Sequence, residues 1–174
     1  MRDLLVVIDM QNDFIDGVLG TKEACAIVDN VVAEMACYDR GNVFATMDTH
    51  GSNYLATLEG RNLPVEHCIK GTSGWELNEK IKTLIDVENI FEKPAFGSLD
   101  LAKHLTEISK TEEIRITLVG LCTDICVASN AILLKTFMPE VQIRVKANCC
   151  AGVSAESHEA ALDTLQHCQI ETLK

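Results

Sequence analysis

The feature that most constrains the fold is an alternation of two periodicities along the chain. Short runs rich in β-branched residues recur at Leu4–Asp9 (LLVVID), Asn42–Asp48 (NVFATMD), Glu88–Lys93 (ENIFEK), Ile114–Gly120 (IRITLVG), Val141–Ala147 (VQIRVKA) and Gln169–Leu173 (QIETL). The first is apolar at successive positions, the mark of a strand buried on both faces. Between the runs, apolar residues fall at helical spacing, which predicts helices over 22–38, 75–85, 99–108, 123–137 and 154–167. Ser98 or Asp100 is placed to cap the helix at 99, and Ser154 the last one. Strands alternating with helices predict an α/β domain on a parallel sheet of about six strands. The stretch from His50 to Ser73 is polar and irregular and reads as one long loop. At 174 residues, with three prolines, ten glycines and no internal repeat, the chain fits a single domain.

Composition narrows the partners. The formal net charge of −11 argues against nucleic acid and anionic membrane, because phosphate binding requires clustered Lys and Arg. The opening run is short and Asp9 interrupts it, so it reads as a strand rather than a signal peptide, and a cytoplasmic protein is expected. No run is long enough to span a bilayer. Without an export signal, the eight cysteines read as reduced thiols. Cys25, Cys37, Cys149 and Cys168 sit among apolar residues and are expected in the core.

In open parallel sheets, ligands bind beyond the carboxyl ends of the strands. Reactive side chains fall at those ends: Asp9 after the first strand, Asp48 and His50 after the second, Lys93 after the third, and Cys126 just past the fourth. A thiol in the opening turn of a helix faces unpaired N–H groups and the positive end of the dipole, both of which favour thiolate. Cys122 sits earlier, on the strand-to-helix turn, where a packing role is the simpler reading. An acid, a lysine and a thiol together make a nucleophile set in which the carboxylate takes the thiol proton and the lysine stabilises negative charge. Taken singly, Asp9 reads as a turn residue and Lys93 as a solvated lysine. Asp48 and His50, with His67 in PVEHC, suit Zn, Fe or Mn, and Glu59 offers a further oxygen.

The segments VVIDMQNDF, DTH, HCIKGTSGWEL, EKPAFGS and VGLCTDICVASNA together resemble the isochorismatase-like cysteine hydrolases, nearest the nicotinamidase/pyrazinamidase branch. The resemblance runs from Leu4 to about Gly152. It implies a Rossmann-like three-layer sandwich around a mostly parallel six-stranded sheet. It also implies a catalytic triad of Asp9, Lys93 and Cys126, and an oxyanion hole from the backbone N–H groups of Cys122 and Cys126, with a cis peptide between Leu121 and Cys122. By the same resemblance Asp48, His50, His67 and the Glu59 carboxylate bind a divalent metal, zinc first, with iron or manganese as substitutes. Phe14 lines a ring pocket, and the substrate is a small amide, nicotinamide first.

Two departures from the branch pattern bear on the pocket. Gly51 follows His50 where proline is usual, and Leu63–Cys68 lacks the usual tryptophan. Trp75 or Phe96 is then expected to supply the aromatic wall. Other readings are hydrolysis of another small amide or N-carbamoyl compound, a non-catalytic binding module on the same scaffold, and a thiol redox protein using Cys122 with Cys126 or Cys149 with Cys150. The helix over 128–137 carries enough apolar residues for a homo-oligomer interface, though burial within one subunit explains them equally.

Overall fold

A computed structural model describes all 174 residues. In chain order the elements are β1 (Arg2–Ile8), α1 (Asn12–Ile15), α2 (Lys22–Met35), β2 (Val43–Asp48), α3 (Leu58–Asn62), α4 (Glu79–Lys82), β3 (Ile90–Lys93), α5 (Leu99–Ser109), β4 (Ile114–Leu121), α6 (Ala128–Phe137), β5 (Gln142–Ala151), α7 (Ala155–His167) and β6 (Glu171–Leu173). A π-helical turn over Thr123–Val127 joins β4 to α6. The strands form one sheet in the order β3-β2-β1-β4-β5-β6, with every neighbouring pair parallel. No helix is long and apolar enough to cross a membrane.

The continuous apolar run of β1 is explained by its central position. Leu4 to Ile8 are all inaccessible to solvent, and each such side chain contributes about 1.5–3 kcal/mol relative to exposure. Leu4, Val6 and Ile8 pack with α5, α6 and α7 through Leu101, Leu105, Leu134 and Leu165. Leu5 and Val7 point the other way, to Ile27, Val31 and Met35 of α2 and Ile81 of α4. The two clusters on opposite sheet faces make the three-layer sandwich.

Several predicted elements differ in extent. The helix expected over 75–85 shrinks to α4, because the residues before it pair in extended form with the chain after β1. The Asn12 N–H donates to the Glu76 carbonyl and the Asn78 N–H to that of Met10, and Gln11 and Leu77 form an antiparallel bridge. The expected loop after His50 contains a 3-10 turn at Tyr54–Ala56 and α3, which Thr57 caps by accepting from the Gly60 N–H. Residues 12–15, directly after β1, form the short helix α1. Strand β5 runs to Ala151 rather than Ala147. The register shifts between Leu118 and Gly120, and pairing resumes at Gly120–Cys150 and Leu121–Ala151. Ser98 and Ser154 cap α5 and α7 as expected. All eight cysteines are free thiols, but Cys25, Cys37 and Cys168 are exposed rather than in the core, and only Cys149 of those four is buried.

The sheet order reverses between β1 and β4, and one glycine permits their contact there. Gly120 has φ +114°, and a Cβ at this position would lie 2.1 Å from the Ile8 carbonyl oxygen. Both the backbone region and the space exclude a side chain. Gly120→Ala is expected to destabilise the protein by about 2–3 kcal/mol and lower Tm by roughly 5–10 °C, measured by thermal unfolding; an unchanged Tm would contradict this account of the junction.

Candidate active site

Four strands bring side chains at or just past their carboxyl ends to the rim at this junction. Asp9 follows β1 with φ 47°, a left-handed conformation that aspartate tolerates better than most residues. Its side chain is completely buried. The Thr46 hydroxyl donates to Oδ1 at 2.6 Å, and Oδ2 lies 2.7 Å from Lys93 Nζ. Lys93, the last residue of β3, is 1% exposed; its aliphatic stem passes through the interior and its ammonium ends among three partners. Beyond Asp9 these are Asp48 Oδ1 at 3.3 Å and Cys126 Sγ at 3.5 Å. The lysine, read alone as a solvated residue, is therefore the hub of the site.

Cys126 sits inside the π-helical turn, is buried with 6% exposure, and is among the residues that line a cavity. The peptide between Leu121 and Cys122 is cis. The Cys122 N–H donates to no acceptor within the protein, and the Cys122 carbonyl instead accepts from the N–H groups of Ile125 and Val127, both at 3.1 Å.

The electrostatics revise one expectation from the sequence. The helical position favours thiolate, but burial, reinforced by the negative Asp9, pushes the Cys126 thiol well up, with Lys93 only partly opposing. Burial also pushes Asp9 up, aided by the charge on Asp48 and opposed by Lys93. Burial alone would lower the Lys93 ammonium; Asp9, Cys126 and Asp48 outweigh it and hold the group charged. Burial thus opposes thiolate at Cys126, and the same burial makes Asp9 a better proton acceptor beside it. Burial and Asp124 push the neighbouring Cys122 thiol up to about 12; Cys122 packs against the α2-side core cluster and also lines the cavity.

The second carboxylate oxygen of Asp48 faces a different cluster. His50 Nε2 lies 3.0 Å from Oδ2 and His67 Nε2 3.6 Å from it; Glu59 Oε1 lies 3.6 and 3.8 Å from the same two nitrogens. One donor atom from each of the four residues falls within 4.8 Å of the other three. His67 Nδ1 is 2.8 Å from the Val65 carbonyl, so this nitrogen carries the proton and Nε2 presents a lone pair inward. Two imidazoles and two carboxylates, with one tautomer fixed from behind, fit a divalent cation of the Zn, Fe or Mn class. The Tyr54 ring packs against His50 and His67 with centroids 4.8 and 5.0 Å away, and its hydroxyl donates to the Leu63 carbonyl.

A cavity of about 320 Å³ joins the two clusters, with Asp48, Glu59, His67 and Cys126 among its lining residues. Its walls are mostly apolar, with Phe14, Leu19, Ala24, Leu121 and Ile125 inside and Leu63, Phe96 and Val153 at more exposed positions. Phe14 is tilted against the His67 ring at 5.6 Å. Phe96 thus contributes an aromatic wall, whereas Trp75 does not. Trp75 lines a separate hollow with Met47, Leu77 and Ile90 and donates its indole N–H to the Thr49 hydroxyl at 2.9 Å, held there by the extended pairing of residues 76–78 with 10–12.

Sequence reasoning missed the supporting shell. Gln11 is fully buried; its amide donates to the Asp48 carbonyl at 2.9 Å and accepts from the Asp48 N–H at 2.7 Å, so it fixes the backbone of the shared carboxylate. Asp13 accepts from the Cys68 N–H at 2.7 Å, next to His67. The signal available was the clustering of Gln, Asn and Asp directly after a buried strand, without anything to say which of them turns inward.

Comparison with known proteins decides the relationship. The family described as the Isochorismatase domain matches residues 3–174. The chain belongs to the isochorismatase family. A nicotinamidase/pyrazinamidase of Mycobacterium tuberculosis is 28% identical over 183 residues, covering 96% of this chain and 96% of its own. The crystal structure of the nicotinamidase/pyrazinamidase PncA from Bacillus subtilis matches with a TM-score of 0.83 at 25% identity over 100% of both chains. That of the pyrazinamidase/nicotinamidase from Streptococcus mutans UA159 gives 0.82 at 29% identity, covering 99% of this chain and 100% of its own. Within the isochorismatase family the chain stands beside the nicotinamidase-like amide hydrolases.

Proposed function

We propose that this protein is a cysteine amidohydrolase that converts a small aromatic amide, nicotinamide first, to its carboxylic acid and ammonia. The observation that carries the reading is the chain of contacts at the cavity floor: Asp9 on Lys93 at 2.7 Å and Lys93 on Cys126 at 3.5 Å. An apolar slot above that floor suits a flat ring, and the relatives named nicotinamidase/pyrazinamidase supply the substrate expectation.

In the proposed reaction the Cys126 proton passes to Asp9 as the sulfur attacks the amide carbon. The carbonyl electron pair moves to oxygen, where the N–H groups of Cys122 and Cys126 receive it; such donors contribute about 3–4 kcal/mol each. Lys93 keeps its charge throughout and offsets the negative charge developing nearby. Collapse of the intermediate breaks the C–N bond, and Asp9 returns its proton to the departing nitrogen, releasing ammonia and leaving a thioester. Water then attacks the thioester while Asp9 takes its proton; the acid is released and the thiol restored. Asp48, His50, Glu59 and His67 would hold a divalent cation, zinc first, whose chemistry when bound is that of a Lewis acid anchoring a ring nitrogen. Phe14 and Phe96, which line the same cavity as Cys126, would hold the ring against the sulfur.

The test is ammonia release from nicotinamide and pyrazinamide, with mass spectrometry of quenched enzyme for an acyl adduct on Cys126. Release from at least one, with the adduct on that residue, is the expected result; no release from a panel of small primary amides would end the reading. For the cation, elemental analysis is expected to find about one zinc, iron or manganese per chain. His67→Ala is expected to weaken binding of that ion more than about tenfold, and equal metal content in wild type and variant would remove His67 from the ligand set.

A further inference from the structure

The π-helical turn that carries Cys126 is secured from outside the site, by α7. Thr123, its first residue, is completely buried. Its hydroxyl does not cap its own turn; it lies 2.8 Å from Nδ1 of His158, on the far side of β5 in sequence. A hydroxyl can donate or accept, so it complements either tautomer of the ring. The neighbouring residue makes a second tie: Asp124 Oδ1 accepts from the Val153 N–H at 3.1 Å. His158 itself is held closely. Its N–H donates to the Ser154 carbonyl at 3.0 Å, within a first turn where the Ser154 and Ser157 side chains cap each other's backbone N–H. A Cβ on Gly152, which lines the cavity, would lie 2.9–3.0 Å from His158 backbone and Cβ atoms. The cavity wall, the start of α7 and the nucleophile turn are thus packed as one unit, around a π-helical turn of a kind that is rare and concentrated at functional sites.

We infer that His158 is a positioning residue of the hydrolase, holding the Cys126 turn in register through the Thr123 hydroxyl. The inference rests on the amidohydrolase reading for its role in turnover. His158 does not line the cavity, and the one side-chain hydrogen bond it makes is with Thr123, so its side chain reaches the Cys126 turn through that hydroxyl. Misplacing a nucleophile or an oxyanion donor by a fraction of an ångström lowers the chemical step without weakening ring binding.

The test is a double-mutant cycle. His158→Ala and Thr123→Val are each expected to lower kcat at least about tenfold, with KM within about twofold of wild type. The double variant is expected to be no worse than either single one, because both remove the same bond. His158→Asn, whose amide can reach the position of Nδ1, is expected to recover most of kcat. Wild-type kcat in His158→Ala, or losses that multiply in the double variant, would overturn the assignment. Should His158→Ala fail to fold, Thr123→Val and His158→Asn still decide it: an unaffected Thr123→Val overturns it, and so does a His158→Asn enzyme that folds but stays about tenfold slow. The rate of Cys126 alkylation by iodoacetamide separates this assignment from the reaction assigned above. It is expected to fall about threefold or more in Thr123→Val even if no amide substrate is turned over. A rate equal to or above that of wild type would overturn the positioning role while leaving the amidase reading to its own assay.

Discussion

Replacing Cys126 by alanine is expected to lower amide turnover by about 10⁴-fold or more while leaving the fold intact. The large loss follows from the division of labour in the site. Asp9 and Lys93 form no bond to substrate carbon in the proposed reaction, and the donors for the oxyanion have nothing to stabilise until the sulfur attacks. The small structural cost follows from size: the side chain is among the smaller ones in its core cluster, and its removal deletes a single sulfur atom. Serine at this position should be nearly as inactive, because its hydroxyl is far less acidic than a thiol beside the same carboxylate. The measurement is kcat with each variant, alongside circular dichroism and Tm. Turnover within tenfold of wild type would remove Cys126 as the nucleophile.

Replacing Lys93 by methionine is expected to damage both stability and turnover. Methionine matches much of the stem volume but leaves Asp9 and Asp48, both buried, without the ammonium that lies between them. Removing one partner of a buried ion cluster costs about 3–5 kcal/mol, a fall in Tm of roughly 10 °C for a chain of this size. Turnover is expected to fall at least about 10³-fold, since Asp9 would lose the positive charge that opposes the effect of its burial. Thermal unfolding and kcat report the two effects separately. A variant with wild-type Tm and lost activity would show that Lys93 is catalytic without being structural; wild-type activity would exclude it from the triad.

The core of this site was legible because it lies at the ends of strands. Asp9, Asp48 and Lys93 each close a run whose periodicity is unambiguous, and Cys126 follows the strongest strand-to-turn signal in the chain. Sheet topology then does the rest, since parallel strands bring their carboxyl ends to one rim whatever their separation in sequence. What could not be read depends on contacts between segments without regular structure. Trp75 was a reasonable candidate for the ring pocket, but residues 76–78 pair with the backbone after β1 and carry its indole to Thr49 instead. The apolar spacing over 75–85 suggested a long helix because Leu77, Ile81 and Ile85 are all buried; spacing reports burial, and an extended segment leading into a short helix can bury the same residues. Local reasoning about the sulfur weighed only the helix N-terminus, which favours thiolate; the burial and the nearby carboxylates that push the Cys126 thiol up come into view only in the fold. Cys25, Cys37 and Cys168 were misplaced because a free cysteine is more often buried than not, yet each of the three is exposed.

The order β3-β2-β1-β4-β5-β6 divides the machinery between two wings of the sheet. One wing, with β2 and the chain after it, holds the four residues proposed to bind a cation; the other, beginning at β4, presents the sulfur, and Asp9 stands at the seam between them. Remodelling of the 49–74 connection could therefore redirect which molecules are admitted without rewriting how a bond is cut. For protein engineering, this makes the connection the natural place to diversify when new amides are sought, with the opposite wing left untouched.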